Sequence, residues 1–351
     1  MTLSSLTLHN LRSYSSFQLR FEQPAVVIVG ANASGKTTIL EVAYLAMTGN
    51  SFRAQQISDL ILFGAELGRV QAVIEQDTVE VMVTRGLVQG KRTLGRLFSV
   101  NGIRRRKQDA VSRVFPVLFR PEDMRLIEGS TGRRRAFLDD ALQVLHAAYA
   151  RALKAYEQTL TRRNKLLGQV KLGEQSVAAL TYWNAGVLKH GTEVQTFRRD
   201  FLHSCSAADF ALPFTVNYVP SVMSEERQKQ YLPREIAAGH SLIGPHRDDF
   251  TVSLPIGGER RDIAAFGSRG QQRMAVLWMK LCELRYAQRL KMPVVLLLDD
   301  ILSELDADSK QHALALIPKY QSIITSTEPE TIEIVRSVQP QLQVLHTVIQ
   351  E

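Results

Sequence analysis

The chain has only two cysteines in 351 residues, Cys205 and Cys282, far apart and without C-x-x-C spacing. That excludes a disulfide framework and a cysteine-held zinc site, and it fits a reducing cytoplasm in which both thiols act as small buried hydrophobes. No apolar run approaches the ~18 residues that a bilayer-spanning helix needs. The N-terminus lacks the basic-then-apolar order of a secretory signal, so a soluble, intracellular protein without a membrane partner is expected. No internal repeat or low-complexity tract is visible. One absence is local. From Val81 to Gln108 there is no acidic residue, whereas Arg85, Lys91, Arg92, Arg96, Arg104, Arg105, Arg106 and Lys107 are all basic. A solvated face normally mixes signs, so this stretch reads as a surface for a phosphate backbone, the alternative being a plain basic loop. Phe98 is its only aromatic residue, so stacking on unpaired bases is not indicated there.

Hydrophobic residues make up 45% and charged residues 22%, the proportions of an ordinary soluble protein with room for one large or two ordinary domains. A net charge of +8 suggests a polyanionic partner.

The stretch that organises the chain is Gly30-Ala31-Asn32-Ala33-Ser34-Gly35-Lys36-Thr37, between the apolar run 25–29 and a helical pattern through Met47. Strand, glycine-bounded loop and helix in that order form a phosphate-binding loop in its required setting. Gly30 turns the chain off the strand, Gly35 lets the backbone approach phosphate, and the helix N-terminus faces the anion. Lys36 supplies charge to the β- and γ-phosphates, and the Thr37 hydroxyl suits Mg²⁺. A nucleoside triphosphate with Mg²⁺ is the expected ligand. Before the loop, residues 1–23 read as a β-hairpin, with Leu6 and Leu8 alternating on one side, Phe17, Leu19 and Phe21 on the other, and a polar turn between. Arg12 in its turn is either a phosphate contact or an ordinary solvated arginine. Residues 69–100 alternate as short strands.

From Thr131 the period becomes helical, with one long apolar stripe from Phe137 to Leu160 and Arg133-Arg134-Arg135 and Arg162-Arg163 at its two ends, a second basic surface. Further helices are expected at 174–190 and 192–208, separated by Gly191. β-character returns at Phe250, Val252 and Leu254. The turn Ser268-Arg269-Gly270-Gln271 then opens a long helix to about Leu290. The run 293–300 ends in Asp299 and Asp300 and reads as a buried parallel strand. Asp299 is placed to hold Mg²⁺ and Asp300 to orient or deprotonate water, with Lys36 the third catalytic candidate. A helix near 308–317 and a last strand at Ile323-Ile324-Thr325 complete the order. More than 250 residues separate Lys36 from Asp299, so both chain ends must build one nucleotide core. Ser268, Gly270 and Gln271 at a helix N-terminus form a second phosphate-binding device. Since the chain already has a cradle, that device is best suited to the γ-phosphate of another subunit, giving an isologous dimer. Ser303-Glu304-Leu305-Asp306 either crosses the same interface or caps the next helix.

These residues carry a family likeness. The chain resembles the RecF recombination-mediator ATPases, relatives of SMC heads and ABC ATPases, almost end to end. The matching stretches are Asn10-Leu11-Arg12-Ser13-Tyr14, the phosphate loop, 121–139, Arg163-Asn164, Gly244-Pro245-His246-Arg247-Asp248-Asp249, 268–273 and 296–306. The resemblance implies an α/β, ABC/SMC-like P-loop ATPase head, residues 1–125 and 243–351, with an inserted all-helical arm at 126–242. It implies a slow ATPase that binds single-stranded, gapped or duplex DNA, dimerises on ATP, and acts with RecR and RecO in RecA loading, repair and the SOS response. Three positions depart from the family pattern: Ala33 and Thr38 in the loop, where Gly and Asn are expected, and Arg269, where Gln is expected. Ala33 costs stability only if its φ is positive. Asp300 stands where ABC transporters carry Glu, and its shorter reach suits a hydrolytic timer. His246 is read as a turn histidine fixed by Asp248 or Asp249, without a catalytic role. Two rivals are a transport ATPase, disfavoured by the inserted arm and the basic stretch, and a small-molecule phosphotransferase, whose turnover would ignore DNA.

Overall fold

A short run of five apolar residues with no polar face has to be covered on both sides, and the strand Ala25–Val29 is buried throughout. The structure, a computed structural model, describes residues 2–111, 113–205 and 210–347. The chain forms two compact units, one running to Asp123 and resuming at Glu283, the other Met124–Cys282.

In the first unit, Ala25–Val29 belongs to a five-stranded parallel sheet in the order Phe115–Phe119, Val294–Asp299, Gln321–Ser326, Ala25–Val29, Leu342–His346. Its register places Asp299 beside Thr325 and Ser326 beside Val29. The phosphate loop and the acidic strand end therefore leave the same carboxyl edge with one strand between them, where open parallel sheets gather ligands. A six-stranded antiparallel sheet runs Tyr14–Arg20, Leu3–Leu11, Leu67–Ile74, Asp77–Thr84, Arg96–Val100, Ile103–Arg105. Its first hairpin pairs the two alternating runs, with Leu6 opposite Leu19 and Leu8 opposite Phe17, so these side chains share one face of the sheet. The helix Lys36–Thr48 packs against strands of both sheets, and every residue but Thr37 is buried. A helix buried on all sides requires that double cover.

Ile323–Thr325 is not the last strand: Leu342–His346 follows it and pairs with Ala25–Val29. Phe115–Phe119, at the other margin, contains Pro116, whose missing N–H is tolerated on an edge strand.

The second unit is built on the helices Thr131–Leu145, Ala147–Lys171, Thr181–Cys205 and Glu225–Ala238. It also contains a three-stranded sheet, Thr215–Val219, Asp249–Ile256 and Glu259–Asp262, so residues 126–242 are helical in bulk but carry one strand. Because 249–256 pairs with 215–219, residues 243–282 cluster with this unit, although the sequence reading placed them with the head. The stripe from Phe137 to Leu160 is two helices, broken at His146 in an extended conformation. Conversely, Gly191 separates nothing. It lies buried inside one helix, Thr181–Cys205, where a Cβ would come within 3.2 Å of Pro245 and Tyr156. Residues 206–208 of the expected helix lie outside the described residues.

The second basic surface is also corrected. Arg163 is 2% exposed and donates to Glu235 (2.6 Å), Ser241 and Asn184, and Arg134 is held by both carboxylate oxygens of Asp249. The Gly-Pro-His-Arg-Asp-Asp stretch is the centre of this internal network. Asp248, fully buried, accepts from Arg198 at 3.0 Å, Gln195 at 2.8 Å, the Ser221 N–H and Tyr218. Arg198 also donates to Asp139 and the Pro245 carbonyl. His246 is fixed not by an aspartate but by the Tyr156 hydroxyl at Nδ1 (2.7 Å) and the Ser241 carbonyl at Nε2. One ring nitrogen accepts and the other donates, as a neutral imidazole does, and burial lowers the pKa accordingly. Removing one member of a buried ionic network leaves the others uncompensated. Asp248→Ala is expected to destabilise the protein by about 3 kcal/mol, read from chemical denaturation; a loss within the range of a surface substitution would show the network to be dispensable.

Candidate functional site

The phosphate loop leaves the sheet after Val29 and closes onto the N-terminus of Lys36–Thr48. Gly35 has φ of 90°, and a Cβ there would lie 2.4 Å from the Tyr14 hydroxyl oxygen, so both conformation and space require glycine. Ala33 has φ of 65°. The departure at this position therefore falls in the left-handed region, where an L side chain is strained. The Ser34 and Thr347 hydroxyls meet at 2.7 Å. Lys36, 4% exposed, folds back over the loop and donates to the carbonyls of Gly30 (2.8 Å) and Ala31 (2.9 Å). These weak local acceptors hold the ammonium where phosphate oxygens would replace them.

Two parts of the chain 262 residues apart meet next. Thr37 Oγ1 donates to Asp299 Oδ1 at 2.9 Å, and Thr325 Oγ1 donates to the same oxygen at 2.8 Å. Burial pushes the Asp299 carboxyl up, and the two hydroxyls partly offset it. A threonine hydroxyl and a carboxylate side by side are hard oxygen donors of the kind Mg²⁺ takes. Asp300 follows with φ of 49°; its N–H is held by the Thr325 carbonyl and hydroxyl, and its Oδ1 is buried without a hydrogen-bond partner. Both the backbone strain and the unsatisfied oxygen gather at the end of the acidic strand. Of Ser303–Asp306, Asp306 accepts from the Ser309 N–H and caps the helix Ala307–Leu314, which is the capping alternative.

Arg12 makes a bidentate pair with buried Glu41, at 2.8 and 2.7 Å, and donates to the Asp59 carbonyl. It is thus neither free nor simply solvated: Glu41, one turn beyond Thr37, fixes the guanidinium. In the second unit, Ser268 and Gln271 satisfy each other across the start of Arg269–Arg289. The Ser268 N–H donates to Gln271 Oε1 at 2.9 Å and the Gln271 N–H to Ser268 Oγ at 3.3 Å. Ser268 is exposed, so this capped helix start faces solvent, with Gly270 within its first turn.

The eight basic residues separate into two sets. Arg85, Lys91, Arg92, Arg104, Arg105 and Arg106 are exposed, on the hairpin Leu87–Val88/Lys91–Arg92 and on or beside the edge strand Ile103–Arg105. Arg96 and Lys107 instead donate to the C-terminal end of the loop helix. Arg96 reaches the Gly49 carbonyl and Asn50 Oδ1, and Lys107 reaches Asn50 Oδ1. Cations are stabilised at that pole of a helix, and burial lowers the Arg96 pKa. The sequence reading missed Thr325, Thr347 and Tyr14 as parts of the site; only Thr325, a hydroxyl at the end of an apolar strand, left a readable signal.

Comparison with known proteins settles the family. The model of the RecF/RecN/SMC N terminal domain matches residues 2–347. The chain belongs to the RecF family. It is 35% identical to the DNA replication and repair protein RecF of Herpetosiphon aurantiacus over 93% of this chain and 94% of that one. It is 33% identical to the RecF of Thermomicrobium roseum over 95% of each chain. The solved recombination mediator protein RecF-ATP of the RecFOR pathway superposes with a TM-score of 0.82 at 26% identity, covering 93% and 92%. An SMC head solved with the C-winged helix domain of ScpA shares the fold, with a TM-score of 0.52 at 16% identity, covering 98% and 94%.

Two measurements probe the site. Ala33→Gly is expected to raise unfolding stability by about 1 kcal/mol by relieving the left-handed alanine; a loss of stability would mean the strain is absent. Asp299 carries a raised carboxyl pKa, so its ionised form costs stability above that pKa and the cost disappears as pH falls through it. Asp299→Asn is accordingly expected to raise the melting temperature of the nucleotide-free protein at pH 7, with the advantage shrinking toward acid pH. An advantage that grows on acidification would contradict the burial argument.

Proposed function

We propose that this RecF-family chain is an ATP-dependent DNA-binding protein of recombinational repair and replication restart, in which triphosphate closes two copies onto DNA and hydrolysis releases them. The observation that carries this reading is the Thr37–Asp299 contact at 2.9 Å, which joins the phosphate loop to the acidic strand across the whole inserted segment.

The donor set suits magnesium and a triphosphate. Thr37 and Asp299 would hold Mg²⁺, whose charge offsets that of the phosphates. Lys36 would exchange the Gly30 and Ala31 carbonyls for phosphate oxygens. Asp300, with a buried oxygen that lacks a partner, is placed to orient water. Its short reach suits hydrolysis that times release. Gly30–Thr38 cradles the nucleotide, and Arg12, braced by its pair with Glu41, lines the same pocket. Ser268, Gly270 and Gln271 serve the γ-phosphate of a second copy. In this reading the ATPase head comprises residues 1–125 and 243–351 and the arm 126–242, the signature turn serving nucleotide chemistry although it packs in the second unit.

The exposed basic residues supply a sequence-independent, salt-sensitive grip on DNA. The relatives' names, a DNA replication and repair protein and a recombination mediator of the RecFOR pathway, support a role in repair. The proposed role extends this to work with RecR and RecO in loading RecA and supporting the SOS response, in the cytoplasm.

Ser268→Arg tests the shared pocket. It is expected to abolish ATP-dependent dimerisation in sedimentation while leaving Mg-ATP affinity within about threefold, since the variant's own cradle is intact. A variant that still dimerises on ATP removes the second subunit from the scheme. ATPase turnover measured with and without DNA at two salt concentrations separates a DNA-coupled timer from a phosphotransferase that ignores DNA.

A further inference from the structure

Among the described residues, the most exposed large hydrophobic side chain is Phe63, 98% exposed. It is held there by design of the backbone. Leu62 is anchored by its N–H to the Asn10 carbonyl at 3.0 Å, and the Ala65 N–H returns to the Leu62 carbonyl at 3.0 Å, closing a four-residue turn. Phe63 and Gly64 form its tip, with Gly64 at φ 83° as a turn of this kind requires at its third position. The aromatic ring is therefore presented on a short, fixed base.

The turn is tied to the basic hairpin. Arg85 donates its N–H to the Glu66 carbonyl and its Nε to the Ala65 carbonyl at 3.2 Å, and the Gln89 N–H donates to the Glu66 carboxylate at 2.9 Å. Three bonds thus bring Phe63 to the stretch whose sequence lacks an exposed aromatic. Arg85, Lys91 and Arg92 are the exposed cations of that hairpin, and Glu66, the acid beside the turn, accepts from the Gln89 N–H. A fixed aromatic face beside phosphate-binding cations is the combination that grips single strands, because any base offers a π-face.

We infer that Phe63 stacks on an unpaired base of single-stranded DNA whose backbone follows the Arg85–Lys91–Arg92 hairpin. The inference rests on the DNA-binding reading above and deepens it by assigning a single-strand contact. Duplex DNA, its bases already stacked, gains nothing from the ring.

The test uses the full chain with Mg-ATP and two dye-labelled probes, an oligothymidine and a blunt duplex, by fluorescence anisotropy. Phe63→Ala is expected to weaken oligothymidine binding about tenfold, the scale of one lost stacking contact, with duplex affinity unchanged within about twofold. Phe63→Trp should retain single-strand affinity, and its added emission should be quenched by the oligonucleotide. The double variant Lys91→Glu/Arg92→Glu should weaken both probes and so tests the electrostatic reading separately. If the double variant weakens binding but Phe63→Ala alters neither probe, or both equally, the stacking role is overturned while DNA binding stands. If Phe63→Ala changes self-association in sedimentation and not DNA affinity, the ring serves a protein contact and the inference fails. If the unaltered chain binds neither probe, the DNA-binding function fails with it.

Discussion

One carboxylate oxygen receiving two threonine hydroxyls, Thr37 and Thr325 on Asp299, is the point on which the first unit depends. Each of the three residues comes from a different part of the chain, and each stands at the carboxyl edge of the same parallel sheet. Strand order explains how this is possible. Ala25–Val29 lies between Gln321–Ser326 and Leu342–His346, so the N-terminal strand is enclosed by strands that exist only after the second unit has been traversed. The inserted segment can be long because parallel strands require a crossover anyway, and the entropy of closing a loop grows only slowly with its length. The nucleotide core cannot form from either end alone.

Features that cost stability are concentrated around that edge. Ala33 and Asp300 have left-handed backbones, the Asp299 carboxyl is desolvated, and one Asp300 oxygen is buried without a partner. The second unit shows the opposite arrangement. There Asp248, Arg198, Arg163 and Glu235 are buried yet joined by hydrogen bonds, with half-buried Asp139 as a further partner of Arg198. A satisfied network specifies one packing, whereas an unsatisfied one stores strain for a ligand to relieve. The Gly-Pro-His-Arg-Asp-Asp stretch therefore reads as architecture and the Asp-Asp strand end as chemistry, although both are runs of charged residues.

That contrast marks how far the sequence could be read. The phosphate loop, the acidic strand and the hairpin alternation were legible because each is a local pattern with a local cause. The pairing of Asp299 with Thr37 followed from the motif types. Thr325 left only the faint signal of a hydroxyl at the end of an apolar strand, and Thr347 carries no pattern; both are recruited by register. Arg134 and Arg163 were misread as surface because a sequence shows a charge without its partner; Asp249 and Glu235 lie far along the chain. Gly191 was misread as a break because glycine signals both a turn and a close approach, and only packing distinguishes the two. Ala33 was left conditional on its φ, and the structure supplies the sign.

The basic edge can be argued further. Charged residues on the strand Ile103–Arg105 would protect an open sheet edge from pairing with another chain whatever their sign. Edge protection alone therefore does not account for a stretch, Val81 to Gln108, from which acids are wholly missing. Nor does helix capping, which engages only Arg96 and Lys107. What remains is six exposed cations of one sign, a condition that raises self-repulsion unless a polyanion relieves it. A local cost without a local return thus supports both proposals, Asp299 as a ligand-holding group and this edge as a surface for a phosphate backbone.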